Sequence, residues 1–153
     1  ELPERSTDRF AALYARRENR TSFMPNPTTV PAMPRVLVVD DNVDAAESLA
    51  MVLECEGFEV ACAHDGLAAL EWIERERPQA VLLDLGLPSI DGLEVARRVR
   101  AGPLGRQVLL IAVSGYGRDE DHESTRTAGF DAHLVKPVPP DRIIEMLGAR
   151  LIG

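Results

Sequence analysis

Short unbroken apolar runs alternate along this chain with stretches whose apolar residues recur at helical spacing, and that alternation limits the folds open to it. Val36–Val39, Ala80–Leu83 and Val108–Val113 contain no polar residue. A strand that is apolar on both sides must be covered on both faces, as in a parallel sheet held between two layers of helices. Phe58–Ala63 is less apolar and predicts an edge strand; Ala132–Val135 predicts a short fifth strand. Between them, Asp44–Glu56 places Ala46, Leu49, Ala50 and Leu53 at helical spacing, with Gly57 as its stop. Gly66–Arg77 carries Leu67, Leu70, Trp72 and Ile73 and ends before Pro78. Asp91 is placed to cap Gly92–Arg100, with Val95 and Val99 inward. Asp119–Ala128 reads as a polar helix ended by Gly129, and Pro139–Leu151 as a last helix with Ile143, Ile144, Leu147 and Leu151 on one side. Five βα units predict an α/β, doubly wound parallel sheet with right-handed crossovers.

In open sheets of this kind ligands gather at the carboxyl ends of the strands. Here those ends carry Asp40-Asp41, Asp84, Ser114 and Lys136. Lys136 is the one lysine among 17 basic residues; all the others are arginines. Lysine is a compact point charge on a flexible stem, where arginine is a broad planar fork, so a lysine kept at this single place suggests a held anion.

Carboxylates crowded together repel, and without a counter-ion at least one would protonate more readily. A hard divalent cation relieves this, and Mg²⁺ suits the set because it needs few carboxylates and keeps water ligands. Asp41 is the better placed direct ligand, with Asp40 binding directly or through water and the Gly86 backbone carbonyl adding an oxygen. Asp84 is the candidate nucleophile, since a carboxylate can take a phosphoryl group as an acyl phosphate. Lys136 would neutralise phosphoryl oxygens and Ser114 would hydrogen-bond one of them. Singly, these residues have plainer readings: a helix cap, a solvated loop acid, a lysine salt bridge.

The net charge is −8. Residues 1–34 hold five arginines against four acids, so the body carries −9. An acidic body argues against direct nucleic-acid binding, which needs a basic face. Cys55 and Cys62 fit neither a C-x-x-C motif nor a zinc site, and read as two small buried residues in a reducing compartment. No apolar stretch approaches membrane-spanning length and no signal peptide is visible, so a cytoplasmic location without membrane contact by this segment is expected. Residues 1–34 are proline-rich and read as a linker or tail with a short helix at 8–18. The domain proper is expected over 35–153.

Taken together, Val38-Val39-Asp40-Asp41-Asn42, Leu82-Leu83-Asp84-Leu85-Gly86-Leu87-Pro88 with Asp91-Gly92, Val113-Ser114-Gly115 and Val135-Lys136-Pro137 resemble the response-regulator receiver domain. The resemblance runs from about Arg35 to Leu151. It implies a flavodoxin-like (βα)5 fold of strand order 2-1-3-4-5, and a phosphoryl group passed to Asp84 from a phosphohistidine on a histidine kinase or histidine phosphotransfer protein. It implies Mg²⁺ at Asp40 and Asp41, Ser114 as the switch hydroxyl, and a cis bond between Lys136 and Pro137. Gly86 and Tyr116 fall where such domains tune phosphate lifetime. His133 departs from the aromatic residue that often turns inward on activation; it reads either as a switch residue or as a plain surface histidine. His64 and His122 read as surface residues.

The surface of the fourth helix, fifth strand and fifth helix is expected to serve a partner or a homodimer. The residues about Ser114–Gly117 and Asp131–Val138 resemble receivers of hybrid histidine kinases. That context is also suggested by the non-Met start and the proline-rich connector. A stand-alone single-domain regulator is the alternative. An aspartyl-phosphate phosphatase would want a second acid two residues after the nucleophile, where Gly86 stands. As a domain, the chain would be no enzyme beyond its own phosphorylation and dephosphorylation.

Overall fold

A computed structural model describes residues 33–115 and 119–152. The tail helix expected at 8–18 and Tyr116 lie outside the described residues. Strands β1 (Arg35–Val39), β2 (Glu59–Ala63), β3 (Ala80–Asp84), β4 (Leu109–Ser114) and β5 (Ala132–Val135) alternate with helices α1 (Val43–Cys55), α2 (Gly66–Glu76), α3 (Gly92–Ala101), α4 (Asp119–Ala128) and α5 (Pro140–Leu147). All pairings are parallel, in the order β2-β1-β3-β4-β5. The less apolar run is indeed an edge strand, and β3, apolar throughout but for its last residue, is central and fully buried.

Two apolar layers cover the sheet. Leu37, Val39, Val81, Leu83, Leu110 and Ala112 face α2 and α3 through Ala69, Ile73, Val95 and Val99. Val36, Val38, Leu82 and Ile111 face α1 and α5 through Ala46, Leu53, Ile143 and Leu147. Successive strand side chains point to opposite faces, so one continuous run feeds both layers.

Local chemistry sets the helix ends. The side chains of Asn42, Asp65 and Asp91 each accept an N–H of the first turn of α1, α2 and α3. Gly57 follows α1 at φ +99°, a conformation open to glycine. Arg77 ends α2 in the left-handed region at φ +49°, because Pro78 bars it from the helical one.

Three expectations are corrected. Leu67 is exposed: α2 is phased by buried Gly66, Ala69 and Ile73, which turns the residue after Gly66 outward. The last helix stops as an α-helix at Leu147 and continues as a π-helical turn over Gly148–Ile152. Cys55 is exposed near the end of α1, since burial there falls to Ala46, Ala50, Leu53 and Glu54. Cys62 is half-buried; its thiol donates toward the Ala46 carbonyl at 3.6 Å, and burial, with Glu47 and Glu54 nearby, pushes its pKa up to about 11.

Two arginines stitch the amino ends of all five strands. Arg35, first residue of β1, pairs with Glu59 at the start of β2 (3.3 Å) and with Glu76 at the end of α2 (2.6 Å). Its backbone N–H donates to the Gln79 side chain just before β3, at 2.6 Å. Arg100 donates to the carbonyls of Gly105 (2.9 Å), Val108 (2.8 Å) and Gly129 (2.8 Å), and to Asp131 (2.9 Å). Those residues precede β4 and β5. Arg100→Ala is expected to lower stability by about 3 kcal/mol, because three carbonyls and a carboxylate lose a largely buried donor. A fall in the urea midpoint with unchanged m-value would show it; an unchanged midpoint would refute it.

Candidate functional site

The opposite rim gathers three acids and the one lysine. Asp40 follows β1 and Asp84 is the last residue of β3, so neighbouring parallel strands deliver both carboxylates to one edge. Asp40 Oδ1 accepts the Asn42 N–H at 2.9 Å, and Asp84 Oδ1 accepts the Gly86 N–H at 3.0 Å. The second oxygen of each faces Lys136 Nζ, at 3.4 Å and 3.3 Å. These are looser than the 2.7–2.9 Å typical of tight charge-assisted bonds. One ammonium is shared between two acids and gripped by neither.

Both acids are largely buried, with 12% of each side chain exposed, while Lys136 keeps 41% of its side chain in solvent. Burial alone would lower the lysine pKa, but the carboxylates of Asp84 and Asp40 overcome it and hold the pKa above its ordinary value. Asp41, exposed, completes the group: ligand oxygens of Asp40, Asp41 and Asp84 all lie within 4.8 Å of one another. Three hard oxygen donors with one side open to water fit a small divalent cation.

Gly92 sets how close the next loop comes. A Cβ there would meet the Asp84 carbonyl at 2.7 Å and the Leu85 Cα at 2.9 Å, so only a bare backbone lets α3 start against the end of β3. The peptide bond between Lys136 and Pro137 is cis, as the resemblance implied.

Ser114 ends β4 and shares a hydrogen bond of 2.7 Å with His133 Nε2. His133 is half-buried, not a plain surface residue. Its Nδ1 lies 3.2 Å from Thr125 Oγ1 on α4, and Thr125, buried, donates to the His122 carbonyl at 2.9 Å. His122 is exposed, but its ring lies against that of His133, tilted by 34° with centroids 4.1 Å apart. His64, expected at the surface, is half-buried, with Nδ1 3.0 Å from the Asp40 carbonyl. No local pattern marks that contact, which joins residues 24 apart.

A groove of about 490 Å³ opens from this rim between α1 and α5. Asp40, Asp84 and Lys136 line its acidic end, and Leu49, Val52, Val138 and Pro140 its apolar end.

The family model of the response regulator receiver domain matches residues 36–148. Response regulator MprA of Mycobacterium ulcerans (strain Agy99) is 39% identical over 117 residues, covering 76% of this chain and 48% of that protein, so the chain spans about half of the regulator's length. An uncharacterized 14.6 kDa protein of Leptolyngbya boryana is 38% identical over 112 residues, 73% of this chain and 86% of that protein. Among solved structures, a CheY-like receiver domain protein of Methanospirillum hungatei JF-1 superposes with a TM-score of 0.73 at 32% identity, covering 78% of this chain and 94% of that one. The receiver domain of sensor histidine kinase PA1611 of Pseudomonas aeruginosa PAO1, solved with magnesium in its active-site cleft, gives 0.71 at 31% identity over 77% and 97%. Matched from its first strand to its last helix, and sharing that fold with receivers of several organisms, the chain belongs to the response regulator receiver domain family.

Proposed function

We propose that this receiver is a phosphoacceptor of a two-component phosphorelay, and that Asp84 takes the phosphoryl group. The observation that carries the reading is the placement of the Asp84 carboxylate, at the end of the central strand, beside two further acids and one shared ammonium. A carboxylate oxygen of Asp84 attacks phosphorus of a phosphohistidine on the donor. The P–N bond breaks, its electron pair stays on the imidazole nitrogen, which takes a proton, and an acyl phosphate is left on Asp84. Lys136, held loosely, shifts toward the incoming phosphoryl oxygens. Mg²⁺, when bound by Asp40, Asp41, Asp84 and the Gly86 carbonyl, supplies further charge neutralisation. Intact mass after incubation with acetyl phosphate and Mg²⁺ tests this reading: one added phosphoryl group is expected, and none in folded, Mg²⁺-binding protein would count against it.

Ser114 serves as the switch. Its hydroxyl leaves His133 to bond the phosphoryl group, and the loss is felt at α4, which holds His133 through Thr125 and His122. The surface of α4, β5 and α5 thereby changes for a partner or a second copy. Tyr116 and Gly86 tune the lifetime of the phosphoryl group.

The donor's histidine-bearing helix lies in the groove between α1 and α5, because a phosphohistidine must reach Asp84 at the groove's acidic end. Val52→Asp is therefore expected to slow transfer from a phosphorylated histidine phosphotransfer protein about tenfold. Labelling by acetyl phosphate should be unchanged. Equal transfer rates for the parent and the variant would remove the groove from the docking site.

The receiver acts in the cytoplasm, within a hybrid sensor histidine kinase. Support comes from the likeness to the PA1611 receiver, 31% identical and matched over 97% of its length. Back-transfer of the phosphoryl group to a histidine phosphotransfer protein is the expected behaviour; a phosphorylated chain that only hydrolyses would favour the single-domain alternative.

A further inference from the structure

His64 follows β2 directly, and its Nδ1 lies 3.0 Å from the Asp40 carbonyl. A carbonyl oxygen can only accept, so Nδ1 carries the proton. The β1–β2 register ends at Val39 and Ala63, and the last backbone bond between the two runs from the Asp40 N–H to the Ala63 carbonyl at 3.1 Å. One step further no backbone N–H among the described residues reaches the Asp40 carbonyl, and the imidazole takes that place. The carbonyl it holds belongs to the peptide joining Asp40 to Asp41. Fixing that peptide fixes the direction in which both carboxylates leave the strand.

Two residues on, the same loop meets the other acid-bearing segment. A Cβ on Gly66 would lie 2.7 Å from the Ile90 carbonyl, in the loop that runs from Asp84 to α3. Residues His64–Gly66 thus touch the loop after β1 through an imidazole and the loop after β3 through a bare backbone. They act as a spacer between the two sources of carboxylate.

We propose that His64 is a positioning residue for the divalent-cation site, holding the Asp40–Asp41 peptide so that three carboxylates converge. This rests on the reading that Asp40, Asp41 and Asp84 bind Mg²⁺. Groups that orient metal ligands commonly matter about tenfold or more in affinity when removed.

The test is cation binding without any phosphodonor: calorimetric titration with Mg²⁺ and electron paramagnetic resonance with Mn²⁺, on the parent, His64→Leu and His64→Asn. Asparagine can present an amide N–H close to where Nδ1 stands. The leucine variant is expected to bind about tenfold more weakly, and the asparagine variant to recover most of the loss. If the parent binds neither cation, the site reading itself fails and the proposal with it. Parent and leucine variant binding alike would overturn the positioning role and leave the site standing. So would an asparagine variant that melts cooperatively yet binds as weakly as leucine. A measurement on the parent alone guards against a misfolded variant: the His64 Nδ1–H is expected as a protected proton resonance, and its rapid exchange with solvent would overturn the proposal.

Discussion

Asp84→Asn gains no phosphoryl group from acetyl phosphate and Mg²⁺, while the parent gains one; this is the largest change expected of any single substitution here. The amide keeps the shape of the carboxylate, and its oxygen can still accept the Gly86 N–H that Asp84 accepts at 3.0 Å. What it loses is the anionic oxygen that must attack phosphorus. It also removes one negative charge from three crowded acids, so the cation-free variant should melt no lower than the parent. Side-by-side intact mass and thermal melting decide the matter. A variant phosphorylated as fast as the parent would move the acceptor to another residue, with Asp40 and Asp41 next in line.

Lys136→Met slows phosphorylation by about two to three orders of magnitude, the usual effect of removing one donor from developing charge. Stability should change much less. The ammonium lies at 3.3 and 3.4 Å from its acids and is two-fifths exposed, so solvent screens the pair and its loss costs under about 1 kcal/mol. The pH dependence has a definite sign. The lysine pKa is raised on folding, so its contribution is complete below the unfolded value of about 10.4 and fades only as pH climbs through the higher folded value. At neutral pH the ammonium is therefore present in both states, and the rate loss reports chemistry and not titration. Rates over a Mg²⁺ series, set beside urea midpoints, separate the two effects. A stability loss as large as the rate loss would make Lys136 a structural residue alone.

Much of the fold and of the layout of the candidate site was legible in the sequence, for reasons that are local. A strand buried on both faces has little room for polar side chains before its end, so the unbroken run Ala80–Leu83 announced β3. A cap acts over three residues, so Asp91 could be placed before α3. Strand carboxyl ends collect ligands, so Asp40, Asp41, Asp84, Ser114 and Lys136 could be grouped before any distance was known. Contacts between distant residues left no such mark. Arg100 meets Gly129 and Asp131 from 29 and 31 positions away. His133 meets Ser114 from 19, and His64 meets Asp40 from 24. Each depends on which strands become neighbours, and spacing along the chain does not encode that. Leu67 misled for a related reason: helical spacing permits two phases, and the tight seat of Gly66 against Ile90 selects the one that turns Leu67 outward.

Arg35 and Arg100 tie the strands at one rim, and the clustered acids with Lys136 occupy the other. The two rims can therefore vary independently. A sequence library confined to the carboxyl-end loops, sparing Gly66 and Gly92, would sample different reactivities and different partners on an unchanged foundation, which makes this scaffold readily evolvable. Drift at the amino-end arginines would do the reverse, eroding every variant alike whatever its chemistry.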